Sequence, residues 1–338
     1  MRFFKIFFLV SIAFATFSCR QNEKLHFVKF QGEAQGTYYS ISYYDSQNRN
    51  LQNEIDSLLD AFNFIASVYE EQSILSKINR NENPDLNAEF IELFNTAQDI
   101  SSATNGYFDV TIGPLINAWG FGPNRKDTLP ESEIENIKKI IGYKKVRIEN
   151  NKLIKEQAEI ILNYNAIAQG FSADIIGRFL SSKNINNYLV DVGGEILAKG
   201  HKPNQEEWKI GIEKPSESKD SDRQLFATVS ITNKAVATSG NYRKYYERNG
   251  KKYSHSICPH SGYPVEHSLL SVTVIAENAA IADGYATAFM VMGKEKAEVF
   301  LKNNPDKKLD AYFIYSDETG ILCSFATENL AKSVVEIN

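Results

Sequence analysis

Apolar and polar positions change period repeatedly along the chain, and each change marks a new short element. Leu51, Ile55, Leu58, Leu59 and Phe62 recur at helical spacing, and a second helix is predicted from Ala88 to Ser101 with Asn87 as N-cap. Residues 20 to 30 read as a short tether followed by the first strand, and Thr37 to Tyr44, rich in β-formers, predicts the next. A third short helix follows Pro130, and Val146–Ile148 and Lys152–Ile154 form a hairpin about Asn150-Asn151. Ile160 to Asn163 reads as a strand, Gln169 to Ser181 as a helix, and Tyr188 to Val192 as a strand ending in Gly193-Gly194. Trp208 to Ile212 and Phe226 to Thr232 are further strands, while the polar stretch 216–223 reads as a solvent loop. The last section predicts a strand at Val272–Ala276 and helices at Ala279–Met292 and Lys294–Asn303. Strands near Ala311–Tyr315 and Ile321–Phe325 follow, joined by the turn Asp317–Gly320. No repeat is visible, and the absence of strict βαβ alternation favours α+β with mixed or antiparallel sheets over a doubly wound fold.

The N-terminus changes what counts as the folded body. Arg2 and Lys5 precede an apolar run, Ile6 to Phe17, too short to cross a bilayer as a helix, which reads as a secretory signal. It ends in Ala15-Thr16-Phe17-Ser18-Cys19, where the small residue before the cysteine resembles a lipoprotein cleavage site, with an ordinary signal peptide as the alternative. The expected organisation is a signal over 1–18, a lipid-anchored tether over 19–30 beginning at Cys19, and one domain over 31–338. Removing the first 18 of 338 residues, with Arg2 and Lys5, leaves 320 residues at a net charge of −7 instead of −5. The expected place is the outer side of a bacterial inner membrane. A disulfide between Cys258 and Cys323 is chemically permitted in such a compartment.

Composition narrows the function classes. At 43% apolar and 12% aromatic residues, with three cysteines, the chain is neither disordered, nor collagen-like, nor a disulfide-built scaffold. Its negative charge disfavours non-specific binding of nucleic acid. There is no Gly-x-Ser-x-Gly elbow, no His-Glu-x-x-His and no Cys-x-x-Cys, so serine hydrolase, zinc protease and dithiol redox chemistry lack support.

Four clusters mix glycine with polar residues. The first is Gly32–Thr37 with Tyr69 further on, and the second is Gly106–Leu115 running into Trp119-Gly120-Phe121. The third is Asn163-Tyr164-Asn165-Ala166-Ile167-Ala168-Gln169-Gly170 with Asp191–Glu195, and the fourth runs from Ala237 through His255–Gly262 to Thr287. Asp283 and Thr287 lie four apart on a predicted helix, so they share a face and can offer hard oxygen ligands to Mg²⁺. The same spacing also suits a carboxylate that complements the helix dipole beside a half-buried threonine. The third cluster can present backbone N–H groups to a pyrophosphate, or pack a tight turn. Trp119 and Phe121 suit stacking on a planar ring or a place in the core. His255 is a base on a loop, or a surface histidine.

In this order, the clusters resemble the FAD:protein FMN transferase family, also called the ApbE family, over nearly the whole exported chain. The resemblance implies a T-fold-like α+β architecture and Mg²⁺-dependent transfer of FMN from FAD to a threonine hydroxyl of an exported protein, with AMP released. It implies a flavin-acceptor subunit of a membrane redox complex as partner. It places Gln35, Tyr69, Trp119, Gly120, Phe121, Asn163, Gln169 and Ile257 against FAD, Ala166 (through its carbonyl), Asp283 and Thr287 on the metal, and His255 as the base. Cys258 and Asn163 stand where the family carries Asp, and Gln169 where it often has Lys or Glu. These departures leave an FAD pyrophosphatase, or an FAD-binding lipoprotein without transfer, as alternatives.

Overall fold

The computed structural model describes residues 24–120, 129–215, 224–241, 245–248, 251–254 and 256–337. The signal segment, Cys19, the loop 216–223, Phe121 and His255 lie outside them. The chain opens with the hairpin β1 (His26–Ala34) and β2 (Thr37–Asp45), then α1 (Gln52–Ala66), α2 (Ile74–Asn79), α3 (Ala88–Ala103), α4 (Gly113–Ala118) and α5 (Glu131–Ile140). The hairpin β3 (Val146–Glu149) and β4 (Lys152–Lys155) leads to α6 (Ala168–Ser182), β5 (Tyr188–Val192) and β6 (Glu195–Lys199). β7 (Trp208–Glu213), β8 (Leu225–Ile231), β9 (Lys234–Gly240), β10 (Tyr245–Arg248), β11 (Lys251–Ser254) and β12 (Leu269–Ala276) follow. The chain continues through α7 (Ala279–Met292), α8 (Lys294–Asn303), β13 (Asp310–Ser316), β14 (Leu322–Ala326) and β15 (Val334–Glu336).

Eight strands form one sheet in the order β1-β2-β5-β6-β9-β12-β13-β14, every pair antiparallel. Period-two alternation gives this sheet two different faces. Ala235, Ala237, Val272, Val274, Ala311 and Phe313 join the large core with α1, α3, α6 and α7. Their neighbours Val236, Ile275, Tyr312 and Ile314 face a second core under the small sheet β15-β8-β7, built with Trp208, Ile210, Ile212, Val229 and Ile231. The α+β expectation with antiparallel sheets and packed helices is met. Among the described residues no helix is long and apolar enough to cross a membrane.

Local chemistry sets the helices. Ile55, Leu59, Phe62 and Ile65 form the buried stripe of α1. Asn87 caps α3 as its sequence predicts, its side chain accepting from the Phe90 N–H at 2.9 Å. α7 is the central helix, packed on β9, β12, α6 and α3. Two glycines permit that closeness: a Cβ on Gly170 would lie 2.3 Å from the Ala279 carbonyl, and one on Gly284 would lie 2.6 Å from the Ile100 side chain.

The strand expected after the tether is β1, where His26 to Phe30 pair with Asp45 to Ile41. One expectation is corrected. Ile160 to Asn163 is not a sheet strand; only Ile161 bridges Ile112. Its neighbours' N–H groups are taken elsewhere, Leu162 donating to Asn79 Oδ1 and Asn163 to the Val110 carbonyl, each at 2.8 Å. Cys258 and Cys323 are free thiols, so the permitted disulfide is not formed.

Candidate active site

Two buried carboxylates brace α6 against α7 in opposite directions. Asp174 on α6 accepts from the Ala279 and Ala280 N–H groups at 2.8 and 2.9 Å, which supplies two of the donors exposed at the start of α7. Asn278 takes a third, from Ile281, at 2.9 Å. In return, Asp283 on α7 accepts from the Gly170 N–H of α6 at 3.2 Å. Burial pushes the Asp174 carboxyl up to about 6, against the pull of its two backbone donors. Asp283 is buried and Thr287, one turn on, is half-buried.

The passage into α6 sits on this brace. Tyr164 anchors it, fully buried with its ring edge-on to Phe90 at 5.9 Å, and its carbonyl accepts from the Ile167 and Ala168 N–H groups. Asn163 turns the chain through its side chain, which accepts from the Asn165 N–H at 2.8 Å. Ala166 lies between these anchors, four residues before the Gly170 N–H that meets Asp283. A carboxylate, a hydroxyl and a main-chain carbonyl make an all-oxygen set. Such a set fits a hard ion like Mg²⁺, which keeps positions for water and phosphate oxygens. Among the described residues no group of three His, Cys, Asp or Glu side chains assembles as a metal cage.

Next to α6 lies the β1–β2 turn. Its two central residues, Gln35 and Gly36, both take positive φ, 55° and 72°, which suits the twist of a two-residue hairpin but is unusual for glutamine. The Gln35 amide reaches α6 and donates to Ser172 Oγ at 2.5 Å. Gln169 lies against Gly193, where a Cβ would come within 2.8 Å of its Nε2 and 2.9 Å of Thr37 Cγ2. The first turn of α6, the β1–β2 turn and the β5–β6 turn thus converge.

A second group is built from loops. Buried Asp109 accepts from the Thr111 N–H and hydroxyl and from the Tyr143 N–H, and the Thr111 Oγ1 accepts from the Gly142 N–H. Burial raises the Asp109 carboxyl above its ordinary value. This hub steadies the segment leading into α4 and Trp119, whose indole N–H donates to the Gly262 carbonyl at 2.7 Å. Gly120 follows with φ of 79°. Ile257 packs with Leu115, Ile141 and Trp119. Cys258 takes part in a tight turn through its main chain, its N–H donating to the Tyr263 carbonyl and its own carbonyl accepting from the Gly262 N–H, while Ser261 Oγ accepts from the Tyr263 N–H.

The site residues expected from sequence therefore fall into two neighbouring groups. Gln35 and Gln169 lie at the first turns of α6, where Gly170 meets Asp283 of α7; Ala166 precedes that turn in sequence, and Thr287 lies one helical turn beyond Asp283. Trp119, Gly120 and Ile257 belong to the loop group. Asn163 joins them, since its N–H is held by Val110 and its side chain shapes the entry to α6. Tyr69 is 76% exposed, on the loop after α1. Asp109, Ser172 and Asp174 carry contacts to which the sequence assigned no role. For Asp174 the signal was a carboxylate inside an apolar helical run.

Helices braced through buried carboxylates on an antiparallel sheet define an α+β protein with polar groups concentrated where α6 meets α7. Residues 35–313 match the ApbE family, and the chain belongs to that family. A FAD:protein FMN transferase of Haemophilus influenzae is 34% identical over 330 residues, covering 93% of each chain. One from Vibrio cholerae is 37% identical over 286 residues, covering 82% of this chain and 85% of the relative. The solved flavin transferase ApbE from Vibrio cholerae superposes with a TM-score of 0.80 at 33% identity, covering 92% of this chain and all of that one. The apo flavinyl transferase ApbE from Pseudomonas stutzeri gives 0.81 at 30% identity, covering 91% and 97%.

Proposed function

We propose that the protein is a FAD:protein FMN transferase that moves FMN from FAD onto a threonine hydroxyl of an exported acceptor, releasing AMP. The observation that carries this reading is family membership across residues 35–313 together with the α6–α7 brace that sets Asp283 beside the passage holding Ala166. In the proposed reaction the threonine oxygen bonds to the FMN phosphorus, the pyrophosphate P–O bond breaks, and AMP leaves with the bridging oxygen. His255 takes the threonine proton, activating an otherwise weak nucleophile. Asp283, Thr287 and the Ala166 carbonyl would hold Mg²⁺, which when bound supplies positive charge to the pyrophosphate. Gln35, Tyr69, Asn163, Gln169, the Trp119–Phe121 stretch and Ile257 bind and orient FAD.

The turn at Cys258 supports transfer over loss of catalysis, because its main-chain hydrogen bonds need no side-chain acceptor at that position. Lipid anchoring through Cys19 would hold the enzyme beside the exported part of a membrane redox complex. The test is nucleotide analysis after incubation with FAD, Mg²⁺ and a threonine-bearing acceptor domain. AMP should appear in step with acceptor flavinylation and little free FMN should form. Free FMN accumulating equally without acceptor would instead identify a pyrophosphatase.

A further inference from the structure

Gln35 and Ser172 are 137 residues apart in sequence and meet at 2.5 Å, between the β1–β2 turn and the second turn of α6. Gln35 Nε2 donates to Ser172 Oγ, and the Ser172 hydroxyl donates to the Ala168 carbonyl at 2.9 Å, so in this arrangement Oε1 points away from Ser172. Oε1 is buried and has no hydrogen-bond partner among the described residues. A buried acceptor without a donor is costly, and Gln35 also holds a left-handed backbone that few non-glycine residues adopt.

We infer that Ser172 is a positioning residue for the flavin nucleotide: it locks the Gln35 amide so that Oε1 is held ready to accept a hydrogen bond from an N–H or O–H of the ligand. The inference rests on the flavin-transferase reading, and it adds a selective element to it. A ligand group that offers only an acceptor at this point meets a fixed oxygen that cannot rotate away.

The test is a double-mutant cycle on FAD affinity, read by flavin fluorescence on the mature protein with Mg²⁺ and no acceptor. Wild type, Ser172→Ala, Gln35→Ala and the double variant are compared. Alanine is a strong helix former, so Ser172→Ala retains α6. Losing the lock should weaken FAD binding about threefold to tenfold in the wild-type background. It should have no further effect once Gln35 is alanine. An equal loss in both backgrounds, or no loss in either, overturns the positioning role while leaving the function intact. Wild type that fails to bind FAD overturns the functional reading itself.

Discussion

The two faces of the central sheet are built on different terms. Under the small sheet the core is drawn from apolar and aromatic side chains, Trp208, Ile210, Val229, Ile275 and Ile314 among them. Under the helices the apolar core is larger, yet Asp174, Asp283 and Ser172 are buried within the α6–α7 pair. Buried carboxylates cost desolvation, and here each is met by main-chain N–H donors that tie one helix to the other. One face is organised for stability, and the other spends part of its stability on holding oxygen atoms in place.

The sharpest way to break that contrast is Asp283→Ala. Transfer should fall on the order of a hundredfold to a thousandfold, the scale of losing one preorganised electrostatic group, and Mg²⁺ dependence should be lost in a steady-state titration. Turnover equal to wild type would return Asp283 to a purely structural place.

Asp174→Asn comes next. An amide can accept only through its oxygen, so one α7 N–H is stranded, and chemical denaturation should show a loss of about 1–3 kcal/mol. The pH dependence has a definite sign. The Asp174 carboxyl titrates at about 6 in the fold against an ordinary 3.8, so the folded state keeps its proton longer. Wild type should therefore lose stability relative to Asp174→Asn as pH rises from about 4 to about 6, and the difference should then level off. A difference that is flat across that window would contradict the buried, raised carboxyl.

Ile210→Val, on the opposite face, is the smallest change. It should cost about 0.5–1.5 kcal/mol in unfolding free energy, with kcat of the folded enzyme unchanged. A matching drop in kcat would show that the two faces are not separable.

Much of the frame was legible from period alone: α1, α3, α6 and α7 carry long apolar stripes, and β2, β7 and β13 carry dense β-formers. β6 and β9 were not, because Glu195–Lys199 and Lys234–Gly240 mix Ala, Ser and Lys, and their strand state is imposed by pairing with β5 and β12. The apolar run at Ile160 was misread as a sheet strand because Asn79 and Val110, far away in sequence, claim its hydrogen bonds. Four-residue spacing puts Asp283 and Thr287 on one face of α7, but that spacing also suits a helix-dipole carboxylate, and it is the family resemblance that proposes them as metal ligands. The Gln35–Ser172 and Asp174–Ala279 contacts join residues more than a hundred apart, so nothing local announces them.

The most direct measurement is the intact mass of a threonine-bearing acceptor domain after incubation with the mature enzyme, FAD and Mg²⁺. The account predicts a gain of one FMN less water, located on a threonine and absent when that threonine is replaced by valine. An acceptor of unchanged mass, across several such domains and with FAD bound to the enzyme, would contradict it.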